Sequence, residues 1–287
     1  MIASLPRAFW LRSATALYAG LFFALLFLPL AVVAVFAFND APYPAPPWRG
    51  FTLDWFAGRG GNGRVGLFAD AELLGSLWTS VVVASWVTLL SVAVGTANAF
   101  VLARADFRGK AALSLLMLAP LVIPGVILGI SILAFASRVA QLADDLCGLE
   151  LDFLRPGLPL VVLGQFSYIV SIATLTIAAR LQRFDTTLEE AAFNLGATRR
   201  AVFTGIVLPY LRPALIGAAA ISFLMSFENF NTTLMLVGSD PPLTVMMYGR
   251  MREGASPVLN AVSLFLMLAS ALLALLLMRP GQASARA

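Results

Sequence analysis

Residues 190–209 read EAAFNLGATRRAVFTGIVLP within an otherwise strongly apolar chain. The threonines at 186–187 predict a helix start, with the glutamates at 189–190 near the positive end of the helix dipole. Gly196 predicts the end of this short helix, because glycine readily adopts the left-handed conformation. A second helix can then begin at an angle to the first from Ala197 onward. The stretch therefore predicts two short helices joined at a bend.

The composition places the chain in the polytopic membrane class. Of its 287 residues, 60% are hydrophobic and 12% are charged, and the mean hydropathy is +0.89. Histidine is absent and Cys147 is the sole cysteine, which excludes histidine-based catalysis, His/Cys metal sites and an intrachain disulfide. The basic residues lie at the ends of apolar runs rather than among aromatic residues, so no nucleic-acid partner is expected.

Six segments are long and apolar enough to cross a hydrocarbon core, which takes about 20 helical residues. They are 16–38, 77–103, 113–137, 158–180, 213–237 and 258–278. The first is too long for the apolar region of a signal peptide and is predicted to stay as an anchor. The whole chain, 1–287, is predicted to be one all-α transmembrane domain.

The distribution of charge predicts that both termini are cytoplasmic. In this orientation the cytoplasmic segments hold twelve of the 19 basic residues, and ten of the 15 acids lie outside, as the positive-inside rule requires. The twelve are Arg7, Arg12, Arg104, Arg108, Lys110, Arg180, Arg183, Arg199, Arg200, Arg212, Arg279 and Arg286. The loop 181–212 is then cytoplasmic. Outside, short helices are predicted near 53–56 and within 243–256.

The stretch 190–209 resembles the EAA loop of bacterial ABC importer permeases, the cytoplasmic element that contacts the ATPase. The family pattern is EAA, three residues, Gly, nine residues, then I-x-L-P. Seven residues match it at every defined position: Glu190, Ala191, Ala192, Gly196, Ile206, Leu208 and Pro209. Together with the six spans, this resemblance implies the MetI-like permease fold, with ATPase-coupling helices between the fourth and fifth spans.

Two further stretches, FTLDWFAG after the first span and SFENFNTT in the fifth, look most like permeases of the spermidine/putrescine importer group. The resemblance implies a chain in the lipid of the bacterial inner membrane, forming half of the substrate pathway. Its partners would be an ATPase dimer, a second and different permease chain, and a periplasmic binding protein. ATP and Mg would be bound by the ATPase, and no cofactor is expected in this chain.

Glu228 is the exceptional residue of the fifth span. A charged acid at mid-membrane costs about 2.5–3.5 kcal/mol, so it should face a water-filled cavity or a partner rather than lipid. Asn231, three residues on, would share its face on a continuous helix. The pair is suited to binding a cation or a polyol. The alternative is that a protonated Glu228 is a polar clamp between helices.

Other polar residues are candidates for the same pathway. Asn229 lies beside Glu228, and Gln165 and Tyr168 lie in the fourth span, where packing hydrogen bonds are an equally good explanation. In the third span, Pro120 and Pro124 are expected to distort the helix and to free carbonyl groups.

The chain is not expected to be an enzyme. It has no phosphate-binding P-loop, so ATP hydrolysis is expected in a separate subunit. Within the importer class, the cargo could instead be ferric iron, sulfate or molybdate, although a lone buried acid argues against anions. A secondary transporter would show paired repeats with broken helices and several intramembrane charges. An intramembrane enzyme would need a catalytic set such as Ser/His or paired carboxylates.

Overall fold

The computed structural model describes residues 9–59, 64–254 and 256–277, and the regular structure in these ranges is helical apart from two isolated β-bridges. The α-helices are α1 (Phe9–Phe36), α2 (Asp54–Ala57), α3 (Ala71–Arg104), α4 (Lys110–Val122), α5 (Gly125–Cys147), α6 (Leu158–Leu181), α7 (Thr187–Asn194), α8 (Arg199–Val202), α9 (Leu208–Phe227), α10 (Asn231–Leu236), α11 (Leu243–Gly254) and α12 (Val258–Leu277). A π-helix, Phe203–Val207, connects α8 to α9.

The chain forms two compact units, Met1–Leu74 with Gly249–Ala287, and Gly75–Tyr248. In the first unit α1 packs on α12, and the buried Trp55 of α2 donates a hydrogen bond from Nε1 to the Asn39 carbonyl (2.8 Å). The short helix predicted near 53–56 is confirmed, and α11 confirms the one predicted within 243–256. The second unit holds every residue that the sequence analysis placed in the pathway or the coupling loop.

Five helical segments of the described ranges have the length and apolar composition to cross a membrane. They are Ser13–Phe36, Ala71–Arg104, Gly125–Cys147, Leu158–Leu181 and Arg199–Phe227. The predicted span 258–278 corresponds to α12, which is 20 residues long and therefore about 30 Å. Position 278 lies outside the described residues, as do Arg7, Arg279 and Arg286.

The third predicted span, 113–137, is interrupted at the second of the two prolines that were expected to distort it. The helix breaks after Val122, and Ile123 is extended (φ −75°, ψ 129°) before α5 begins at Gly125. Pro124 explains the break, because its ring disfavours helical geometry at the preceding residue and it has no N–H to donate. Pro120, by contrast, lies inside α4. The expected distortion is therefore a complete break at the second proline.

The predicted fifth span, 213–237, is also interrupted, at residues 228–230. The side chain of Asn229 accepts hydrogen bonds from the backbone N–H (3.1 Å) and the hydroxyl (2.8 Å) of Thr233. Asn229 thus caps α10 and replaces the backbone bond that a continuous helix would need. Its freed carbonyl accepts a hydrogen bond from the Thr244 hydroxyl at 2.9 Å.

Glycines allow α10 to pack closely between α5 and α6. A Cβ at Gly164 would lie 2.2 Å from Leu236 Cδ1, and one at Gly129 would lie 3.0 Å from Met235 Cβ. Small residues at helix contacts are typical of membrane bundles, where backbones gain from close approach. The short helix after the break is therefore fixed on two sides.

Candidate functional site

A buried network of neutral polar side chains ties α6 to the break between α9 and α10. Gln165 is 1% exposed, donates to the Thr233 hydroxyl (2.8 Å) and accepts a hydrogen bond from the Ser226 hydroxyl. The Asn229 side chain donates to the Tyr168 hydroxyl at 2.6 Å. Because each buried amide is satisfied on both ends, the network holds the break in one geometry.

A cavity of about 420 Å³ lies against this network. Its polar edge consists of Tyr168, Asn229, Asn231 and Thr232, and its apolar walls include Leu121, Ile123, Leu128, Ile172 and Met225. The break between α4 and α5 and the interruption between α9 and α10 therefore contribute to one space. The side-chain amide of Asn231 makes no hydrogen bond with the described residues, which leaves its oxygen available to a ligand.

The structure brings three of the five predicted pathway residues to this cavity: Tyr168, Asn229 and Asn231. Gln165 lies in the network behind the wall and does not line the cavity. Gln165 therefore makes hydrogen bonds between packed helices, which is the alternative that the sequence analysis gave to a role in the pathway.

Glu228 lies at the end of α9 and not inside a helix. The argument that it shares a helical face with Asn231 was wrong, because the helix stops between them. Glu228 is exposed on the surface of this chain, and its carboxylate makes no hydrogen bond or ion pair with the described residues. It is therefore not a clamp between the described helices of this chain.

The loop 181–212 forms the two short helices that its sequence predicts. The start of α7 differs in detail, because Asp185, and not Thr186, caps it: Asp185 Oδ1 accepts hydrogen bonds from the hydroxyl (2.8 Å) and the N–H (3.0 Å) of Thr187. These two hydrogen bonds lower the pKa of the Asp185 carboxyl.

Gly196 ends α7 with φ +83°, as predicted. Its N–H donates to the Phe193 carbonyl (2.9 Å), and the Ala197 N–H donates to the Ala192 carbonyl (3.0 Å). This pair of hydrogen bonds is the Schellman arrangement. The second helix begins at Arg199, after Thr198 has capped it through the Ala201 N–H (3.3 Å).

The remaining motif residues are exposed, except for Ala192 and Ile206, which are half-buried. Glu190 and Ala191 are exposed on α7, beside the largely apolar surface of Leu188 (51% exposed), Phe193 (43%) and Leu195 (89%). An unburied apolar patch of this kind on a polar loop is typical of a protein contact.

The end of the motif coincides with the π-helix. The Leu208 N–H donates to the Phe203 carbonyl, five residues back. Pro209 contributes to this geometry because it has no N–H for the Gly205 carbonyl. Ile206 is half-buried and packs on the core cluster of Leu181, Phe184, Val207 and Leu211. Leu208 and Pro209 are exposed.

Sequence analysis missed one contact, between Arg104 at the end of α3 and Glu189 in α7. The guanidinium binds both carboxylate oxygens, with 2.9 Å from Nη1 to Oε2. The two residues are 85 positions apart, and neither the basic cluster near 104 nor the acids near 189 indicate the pairing.

Comparison with known proteins gives one family. The family model of the binding-protein-dependent transport system inner membrane component matches residues 92–284. The putrescine transport system permease protein PotI of Escherichia coli K12 is 27% identical over 247 residues, which cover 84% of this chain and 81% of the relative. The spermidine/putrescine permease PotC of Haemophilus influenzae is 27% identical over 269 residues, 93% of this chain and 95% of the relative.

Two further similarities extend this result. The sulfate transport system permease protein CysT of E. coli K12 is 30% identical over 205 residues, 67% of this chain and 74% of the relative. A crystal structure of a bacterial alginate ABC transporter with its substrate-bound periplasmic protein aligns with a TM-score of 0.71 and 18% identity, over 93% of this chain and 91% of that one. At this identity, the alignment supports the fold alone.

Proposed function

The chain belongs to the binding-protein-dependent transport system inner membrane component family, the permease subunits of ABC importers, and from this premise we propose that its cargo is a polyamine. In this family ATP is hydrolysed by a separate ATPase subunit. The chain is accordingly a multi-pass inner-membrane permease and not an enzyme. Its partners in the proposal are an ATPase dimer that binds ATP and Mg, a second and different permease chain, and a periplasmic binding protein. Both termini and the loop 181–212 are cytoplasmic in this arrangement.

The cavity is the observation that carries the cargo proposal. A polyamine has ammonium groups joined by methylene chains, so it needs apolar walls with polar groups at an edge. The cavity supplies apolar side chains around Tyr168 and the free amide of Asn231. Neutral acceptors bind an ammonium without holding it as strongly as an ion pair would, and this suits a site that must release its cargo.

Glu228 supplies the charge selection in this proposal. An unpaired carboxylate at membrane depth is costly, so its exposure on this chain points to a water-filled path or a partner chain. A cation that passes the carboxylate gains from it, whereas an anion is repelled. This argues against sulfate, the cargo named for the relative CysT, although the similarity to that permease makes sulfate the second candidate.

Uptake by cells that lack their own polyamine and sulfate importers tests the proposal. The chain is expressed with its own ATPase, permease and binding-protein partners, and radiolabelled putrescine, spermidine and sulfate are compared. We expect polyamine uptake, and we expect Glu228→Gln to lower it about tenfold or more, equivalent to about 1.4 kcal/mol. Sulfate uptake without polyamine uptake would overturn the cargo assignment.

The control is Glu253→Gln, the same chemical change at an exposed acid of α11. It should leave uptake unchanged, and both variants should still co-purify with the ATPase. Equal uptake by wild type and Glu228→Gln would remove Glu228 from the pathway.

A further inference from the structure

The contact between Arg104 and Glu189 has the geometry of a strong ion pair. The planar guanidinium meets the carboxylate with two parallel hydrogen bonds. The Glu189 side chain is 14% exposed and that of Arg104 is 34% exposed, so water reaches the pair only in part. Bidentate, partly shielded pairs are stronger than fully exposed ion pairs, which water and salt screen.

Aromatic rings enclose the guanidinium. Its central carbon lies 5.1 Å from the ring centre of Phe100 and 5.8 Å from that of Phe184. Phe184 is buried and meets the Tyr210 ring edge-on at 5.0 Å. Lysine could not reproduce this site, because it has neither the planar fork nor the flat face that stacks on a ring.

The contact joins two elements that are far apart in the chain. Through its backbone, α7 continues directly into α6 on one side and into α8, the π-helix and α9 on the other. It has no such connection to α3. The nearby Lys110 does not join α3 to α7 either, because its ammonium group pairs locally with Asp106 at 3.2 Å.

We infer that Arg104 is a positioning residue that fixes the coupling helix α7 to the cytoplasmic end of α3, so that ATP-driven displacement of α7 moves α3 together with α6 and α9. This inference rests on the proposed function, because it assumes that α7 contacts the ATPase. Loss of the contact should leave ATPase binding intact, since Arg104 and Glu189 face each other and the apolar surface of α7 is unchanged. It should reduce the substrate transported per ATP hydrolysed.

The test uses the whole complex, purified and reconstituted, with transport and ATP hydrolysis measured together. Arg104→Glu and Glu189→Arg should each lower transport per ATP about tenfold. The double exchange should recover part of the loss. Recovery is incomplete because the exchanged charges oppose the dipoles at the end of α3 and the start of α7. Arg104→Lys, which keeps the charge, should lose about threefold.

The matched control is Lys110→Glu, the same charge reversal six residues away in a local pair whose acid partner, Asp106, is fully exposed, and it should stay within twofold of wild type. Normal transport per ATP in Arg104→Glu and Arg104→Lys would overturn the inference. So would a double exchange that assembles with the ATPase but recovers nothing. If a variant with a single charge reversal does not assemble with the ATPase, transport per ATP in Arg104→Lys and in the double exchange tests the inference instead. Failure of the wild-type chain to bind the ATPase would instead refute the proposed function.

Discussion

Replacement of Gly196 by valine tests how much the bend of the coupling loop depends on one backbone torsion. Gly196 has φ +83°, and no atom lies within 4 Å of the position that a Cβ would take. The substitution therefore causes no steric collision with another residue. Its whole effect should come from the backbone conformation.

The magnitude follows from that torsion. A left-handed residue other than glycine costs about 1–2 kcal/mol, and a β-branched side chain lies at the upper end of this range. Replacing glycine also restricts the unfolded chain, which offsets about 0.4–1 kcal/mol. A net cost of about 1–1.5 kcal/mol cannot unfold the spans. It can break the two hydrogen bonds that end α7, and the population with the native bend should fall about tenfold.

The assay combines ATPase pull-down, uptake and size-exclusion chromatography in detergent. We expect Gly196→Val to elute like wild type, to bind the ATPase several-fold more weakly and to transport about tenfold less. The control is Gly205→Val, nine residues on, where φ is not positive and the space for a Cβ is also open. Wild-type uptake by both variants would refute the role of the left-handed torsion. Equal loss in both would show that loop bulk, and not the bend, matters.

Two further predictions concern Cys147 and Asp70, which lie on the outer side in the proposed orientation. The exposed thiol of Cys147 should react with a membrane-impermeant maleimide in intact spheroplasts, and reaction only after the membrane is opened would reverse the proposed orientation. Burial opposes ionisation of Asp70, but hydrogen bonds from Arg250 (2.5 Å) and the Leu73 N–H (3.0 Å) outweigh it and hold the Asp70 pKa below its ordinary 3.8. The contribution of the ionised Asp70 carboxylate to the stability of the folded protein is therefore complete above about pH 4, and it is lost as the pH falls through the lowered pKa. Asp70→Asn should cost about 1.5–3 kcal/mol of stability at pH 7 and should remove this acid-dependent loss, which thermal melts in detergent would measure.

Local signals account for what could be predicted. The helix α7, its end at Gly196 and the second helix after it follow from residues within a few positions of one another. The break at Ile123 follows from the adjacent Pro124, and only its completeness was unforeseen. Backbone rules of this kind act through neighbouring residues, so a single sequence contains them.

The remaining features depend on distant partners. Asn229 interrupts the fifth span by capping α10, and it is held in place by Tyr168, 61 residues away. Hydropathy cannot indicate this, because membrane helices are apolar on nearly every face. The same limit applies to Gln165, whose burial follows from Ser226 and Thr233. The pairing of Arg104 with Glu189 spans 85 residues and leaves no periodic pattern.

The cavity and the coupling loop lie at opposite ends of one helix pair, α6 and α9. At the cavity end, Gln165 of α6 accepts a hydrogen bond from the Ser226 hydroxyl of α9. At the other end, Arg180 Nε donates to the Tyr210 carbonyl (3.3 Å), and the central carbon of the guanidinium lies 4.4 Å from the centre of the Tyr210 ring. Between these ties the helices pack through small alanines, including Ala173 and Ala218. At 1.5 Å per residue, the stretch from Gln165 to Arg180 is about 22 Å long. A pair tied at both ends and closely packed between them moves as one body, so a displacement of the Arg180 end is also a displacement of the cavity edge. Under the proposed function, a displacement at the loop 181–212 would therefore change the shape of the cavity that we propose for the cargo, although the two are separated along α6 and α9.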